Sequence, residues 1–153
     1  MTIGTGRRSP RRRTDAVLTA ALVGLLVVQL TLGALVRHLI TPPMEMHEEA
    51  SRLALVHIAL AVVVVSWAVL AGARAWGLYG ERFAMLRQFG LGMVWLAGLQ
   101  VLLGFLSLVV TRVFVGARAW PDPTRMEVII TTLHQTVGAV MLAWAVALAL
   151  WVR

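Results

Sequence analysis

Four stretches of the chain carry no charged residue and few polar ones: Ala16–Val36, Leu53–Ala73, Gln88–Thr111 and Val128–Val152, of 21, 21, 24 and 25 residues. Each is continuously apolar, without the period-two alternation of a barrel strand. Roughly 20 predominantly apolar residues in a helix cross the ~30 Å of hydrocarbon in a bilayer. The valine run "AVVVV" (Ala61–Val65) would favour a strand in water, but in lipid each backbone segment must satisfy its own hydrogen bonds. The pattern therefore predicts an all-α fold, a transmembrane four-helix bundle.

Composition agrees. The 153 residues are 59% hydrophobic and 14% charged, with a mean hydropathy of +0.83. A soluble domain of this size has no core large enough for so much apolar surface. Cysteine is absent, which excludes disulfides, thiolate metal sites and cysteine nucleophiles. The net charge of +7 does not point to nucleic acid, because the arginines punctuate the apolar runs instead of forming a stripe. Nine basic residues fall in the tail, the 74–87 segment and the carboxyl end, and five in the other two connections. The positive-inside rule then places both termini in the cytoplasm. The domain reading is a basic cytoplasmic tail, residues 1–15, followed by a membrane domain over 16–153. The tail, "RRSPRRRTDA", has the charge of a signal-peptide head, but the apolar run after it is long for a signal core and no small-residue cleavage site stands out. The first helix is expected to be retained.

The chain also repeats itself. "QLTLGALV" (Gln29–Val36) aligns with "QVLLGFLS" (Gln100–Ser107) at a shift of 71 residues. His57 and His134 are each followed ten residues later by "WAV", at a shift of 77. Together the matches predict two repeated helical hairpins, related by an axis along the membrane normal because both start on the same side.

A duplicated hairpin sets its equivalent residues opposite one another. His57 and His134 then lie at similar depth, and two imidazoles facing a shared axis are what a six-coordinate haem iron takes above and below its plane. Gly33 and Gly104, also equivalent, would let a flat macrocycle approach the backbone. The plainer alternative makes each histidine a hydrogen-bonded helix contact and each glycine a packing notch. Ionisable residues are expensive in lipid without a task, which favours ligation. Gln29 and Gln100 read first as interhelical hydrogen bonds, with contact to a haem edge or to a ligating histidine as the alternative. Arg37, Arg52, Arg112 and Arg125 flank the helix ends where haem propionates would emerge, and guanidinium forks match carboxylates. Charge balance against the external acids is the other reading. "MEMHEEA" (Met44–Ala50) lacks convincing metal-ligand spacing and reads as a solvated acidic loop.

"QLTLGALVRH" (Gln29–His38) and "TTLHQTVGAVMLAWAV" (Thr131–Val146) resemble the heme A synthase family of cytochrome oxidase assembly proteins. Members of that family usually have eight helices in two four-helix halves, each half with a histidine pair on its second and fourth helices. The resemblance covers nearly all of residues 16–152 but one half only. It implies that His57 and His134 ligate haem b and that the chain works with cytochrome oxidase assembly factors in a bacterial or archaeal plasma membrane. A homodimer or a second half-length homologue would supply the other haem site. The family often has a glutamate three residues before its helix-two histidine, where this chain has Ala54.

Three function classes follow. One is conversion of heme O to heme A. The second is a non-enzymatic b-type cytochrome carrying electrons or haem. The third is a small transporter or scaffold on the same repeat.

Overall fold

The computed structural model describes residues 10–40, 47–79, 81, 83–111 and 123–152. They form four α-helices and, among the described residues, no strand: α1 (Pro10–Ile40), α2 (His47–Tyr79), α3 (Ala84–Thr111) and α4 (Arg125–Val152). All four are long and apolar enough to cross a membrane.

Each helix outruns the apolar stretch that predicted it, because a charged side chain ends a hydrophobic run without ending a helix. The segment assigned to the tail is helical from Pro10 onward, and proline suits a first helical turn, where its missing N–H has no partner to lose. The acidic stretch expected as a loop is helical from His47. Glu48 and Glu49 lie in the first turn of α2, where the helix dipole favours negative charge, and both are exposed. Residues 1–9, the loop start at 41–46 and most of the "AWPDP" segment lie outside the described residues.

The helices pack in a closed ring, α1 on α2, α2 on α3, α3 on α4 and α4 back on α1, while the diagonal pairs make no close backbone approach. Contacts such as Asp15 with Tyr79 and Phe89 with Trp144 join the start of one helix to the end of the next, so neighbours run antiparallel. The central core joins Leu22, Leu26, Val64, Ala68, Met93, Ala97, Met141 and Ala145 from all four helices. Between 11% and 33% of the most apolar stretch of each helix is buried inside the bundle. The remainder, Trp95 at 77% exposure included, is a belt far larger than the apolar patches that soluble monomers tolerate. Hydroxyls on this outer face are self-satisfied. Thr31, Ser66 and Thr136 each donate to the carbonyl four residues back, at 2.8–2.9 Å, which suits them to hydrocarbon.

The end that carries the chain termini is tightly locked. Asp15, 4% exposed, accepts from Arg74 Nε and Nη2 at 2.9 and 2.7 Å and from the Tyr79 hydroxyl at 2.5 Å. The indole N–H of Trp67 donates to the Leu18 carbonyl and that of Trp144 to the Phe89 carbonyl, each at 3.0 Å. Helices α2 and α3 touch backbone to backbone: a Cβ on Gly72 would lie 2.7 Å from the Gly90 carbonyl oxygen, and one on Gly90 would lie 2.5 Å from that of Gly72.

Candidate functional site

The other half of the bundle holds the histidines. His57 follows the start of α2 by ten residues and His134 the start of α4 by nine, about 15 Å along each helix. The register of each helix turns its histidine inward. On α4 the buried residues Glu127, Thr131, Gly138, Met141 and Ala145 mark one stripe at helical spacing, and His134 stands within it. On α2 Ala50, Ala54, Val64 and Ala68 do the same around His57.

The two imidazoles meet across the α2–α4 diagonal, with ring centroids 6.4 Å apart and planes at 83°. Each ring edge also rests on a glycine of the preceding helix. A Cβ on Gly33 would lie 3.1 Å from His57 Cε1, and one on Gly104 would lie 3.2 Å from His134 Cε1. The glycine notches therefore receive the imidazole edges. Packing a side chain there leaves the lone Cα hydrogen as the only spacer, and alanine would force the ring to give by a few tenths of an ångström.

Gln29 joins this cluster from α1. Its amide nitrogen donates to the His57 carbonyl at 3.0 Å and lies 3.3 Å from His57 Nε2. It is thus an interhelical hydrogen bond and a contact to a candidate ligand at once. Gln100, its counterpart on α3, sets its amide against Gly138 of α4, where a Cβ would come within 2.8 Å of Gln100 Nε2. Four buried side-chain atoms in the described residues have no hydrogen-bond partner, and all belong here: Gln29 Oε1, His57 Nδ1, Gln100 Oε1 and His134 Nδ1. Buried polar atoms are rarely left unmatched, so these four are the atoms here that a bound group could engage.

The arginines divide. Arg37, near the end of α1, hydrogen-bonds Thr131 Oγ1 across to α4, three residues from His134. Arg52 pairs with Glu48 at 2.5 Å on the exposed face of α2, both side chains about three-quarters exposed, which fits the charge-balance reading. Arg125 is exposed at the start of α4. Arg112 lies outside the described residues.

Among the described residues no group of three or more His, Cys, Asp or Glu side chains converges. Two imidazoles fall short of the four ligands of a structural zinc site and the three of a catalytic one. They suit an ion that brings its other donors with it.

Sequence reading treated Asp15 and Arg74 as charges to be counted and did not pair them, and it gave no role to Thr131. A signal was present. Asp15 and Arg74 each border an apolar run on the same side of the bundle, a position where partners are needed.

Fold and site together define an all-α bundle of four membrane-length helices with a facing pair of inward imidazoles. Comparison of the chain with protein-family models, with curated proteins and with solved structures finds no match in any of the three.

Proposed function

We propose that this chain is a multi-pass membrane protein that binds one haem b, which His57 and His134 would hold through its iron. The observation that carries the reading is the histidine pair: two inward imidazoles 6.4 Å apart across the bundle, each with a buried, partnerless Nδ1, and no third protein ligand among the described residues. A haem supplies the equatorial donors that the protein lacks. Gly33 and Gly104 seat the imidazoles, and α1 and α3 would flank a bound macrocycle. Arg37, tied to Thr131 one turn from His134, is the residue best set to hold a propionate. When bound, the iron supplies one-electron redox chemistry.

The bundle is read as two repeated hairpins. The Gly33–His57 and Gly104–His134 contacts agree within 0.1 Å, and the Trp67 and Trp144 bonds are alike at 3.0 Å. Both termini are cytoplasmic in this proposal, as the arginine count favours, and the histidines lie toward the outer face of the plasma membrane.

The cellular role implied by the sequence likeness is one half of a heme A synthase, oxidising a methyl group of heme O toward a formyl, with a homodimer or a second half-length homologue providing the other haem site. One observation favours the second reading, a b-type cytochrome that carries electrons. Ala54, at the position of the family's glutamate, is buried in an apolar cluster with Leu39, Ile40 and Ala50, so no carboxylate stands there.

Purified protein from haem-replete cells is expected to carry a low-spin pigment, lost or turned high-spin in His57→Ala and His134→Ala and kept in His38→Ala. Colourless protein would overturn the haem reading. Co-expression with a heme O synthase in cells lacking their own heme A synthase separates the two roles: heme A in extracts supports the synthase, and haem-loaded protein with heme B and heme O alone supports the electron carrier.

A further inference from the structure

Trp95 stands apart from the other tryptophans of the bundle. The indoles of Trp67 and Trp144 turn inward and donate to carbonyls of a neighbouring helix. Trp76 and Trp151 lie in the last turns of α2 and α4, the level at which indoles meet headgroups and water. Trp95 follows the start of α3 by eleven residues. That is about 16 Å along a helix of about 42 Å, well inside the ~30 Å hydrocarbon layer. It is 77% exposed, and its N–H has no hydrogen bond among the described residues. The outward hydroxyls of Thr31, Ser66 and Thr136 bond their own helices. An indole N–H stands too far out for that, so at this depth it needs an acceptor on another helix.

We propose that α3 is the docking face for a second copy of this chain, with Trp95 of each copy seated over Gly98 of the other. The proposal rests on the membrane placement of the bundle and is independent of haem.

The bundle itself shows how such a contact is made. The Trp144 indole lies over Gly92, where a Cβ would come within 2.8 Å of its ring, and its N–H donates at 3.0 Å to Phe89, three residues before that glycine. Gly98 offers the same notch on the outer side of α3: it is exposed, with open space where a Cβ would stand. The carbonyl three residues before Gly98 is that of Trp95 itself. Donor, notch and acceptor therefore share one turn of one helix. Two copies inserted in the same direction are related by a two-fold axis along the membrane normal, which sets equal depths side by side and uses one patch twice. Each indole then covers the other copy's glycine and donates to the carbonyl before it.

The surrounding positions fit a helix pair. Gln88, Trp95, Leu102 and Val109 recur every seven residues, with Gly98 and Phe105 between them, and all six are exposed. Seven-residue spacing is that of a left-handed helix pair. Trp95 and Phe105 alone offer roughly 300 Å² per copy, and Leu102 and Val109 extend the seam toward the ~800 Å² per partner of a standard interface. Lipid covers any apolar face but brings no acceptor to this depth. Gly24 on α1 is equally open, but a contact of α3 with α1 uses each patch once and leaves chains that do not close.

The chain has no cysteine, so single cysteines report neighbours directly. In membranes of cells making the full chain, Leu102→Cys is expected to oxidise to a disulfide-linked dimer, because facing seam positions come within disulfide reach. Val27→Cys on α1 and Val62→Cys on α2 are not. Energy transfer between labelled copies, followed as vesicles are diluted with lipid, gives the strength of pairing. Gly98→Leu should weaken it at least about tenfold. Trp95→Phe, which keeps a ring and loses the N–H, should weaken it about threefold to tenfold, and Gly24→Leu should leave it unchanged. These positions face outward, so thermal midpoints in detergent should not fall, which separates lost docking from misfolding. Absence of the Leu102→Cys dimer overturns the proposal, as does pairing that Gly24→Leu breaks and Gly98→Leu does not. Trp95→Phe that pairs as tightly as the parent overturns it too. In each case the haem reading stands untouched.

Discussion

The half of the bundle nearest the chain termini and the half that holds the histidines solve the burial of polar groups differently. Near the termini, Asp15 is matched by Arg74 and Tyr79, the hydroxyl of Thr19 donates to the Asp15 carbonyl at 2.9 Å, and the indoles of Trp67 and Trp144 are bonded to carbonyls. Helices α2 and α3 close on each other at Gly72 and Gly90. At the histidine level four buried polar atoms have no partner. One half has its buried polar groups paired within the bundle, and the other leaves Gln29 Oε1, His57 Nδ1, Gln100 Oε1 and His134 Nδ1 unmatched. Departures from polar satisfaction in an otherwise consistent fold point to function.

The comparison can be broken most forcefully at the glycine crossing. Gly72→Leu or Gly90→Val would drive a side chain into a neighbouring backbone carbonyl at 2.5–2.7 Å, and backbone cannot yield as a side-chain tip does. We expect a loss of about 3 kcal/mol or more, read as a large fall in the thermal midpoint in detergent. A small fall would mean that the helices do not touch there. A lesser loss is expected at Asp15. Its side chain is 5% exposed and that of Arg74 34%, so the pair is neither fully buried nor a surface bridge. Asp15→Ala removes the carboxylate that accepts from Arg74 and from the Tyr79 hydroxyl and should cost about 2 kcal/mol, with haem affinity unchanged. A haem-binding defect without a stability defect would contradict the division of labour. The smallest effect should come from the histidine half. Gln100→Met removes a buried acceptor that has no partner and keeps the volume, so the haem-free protein should lose nothing or gain up to about 1 kcal/mol. A clear loss of stability would show that Gln100 already has the partner it needs.

How far the sequence reads through to this arrangement differs from element to element. The four helices were legible because lipid demands length and continuous apolarity, and both are one-dimensional properties. Their ends were not. Pro10, His47 and Arg125 extend helices past the last uncharged residue, since outside hydrocarbon a helix tolerates charge and gains from the Glu48–Arg52 pair. The depth of the histidines was legible as well, because residue number along a helix converts directly to height. Which face each residue presented to which neighbour was suggested only by the matched sequence segments, and these misled at the glutamines. They implied equal surroundings for Gln29 and Gln100. The Gln29 amide bonds the His57 carbonyl, whereas the Gln100 amide lies over Gly138, a difference that no single stretch displays. The Asp15–Arg74–Tyr79 cluster escaped for the same reason, being made by residues 59 and 64 positions apart.

The proposal that His57 and His134 together hold one haem iron has its most direct test in the angle between the imidazoles. Two imidazoles with planes at 83° remove the preference between the two iron orbitals that π-bond to them, whereas parallel planes keep it. The measurement is the low-temperature electron paramagnetic resonance spectrum of the ferric, haem-loaded full chain. The account predicts a low-spin signal with the strong anisotropy of near-perpendicular axial imidazoles, abolished in both His57→Ala and His134→Ala. A high-spin signal, or the rhombic low-spin signal of parallel imidazoles, would contradict it.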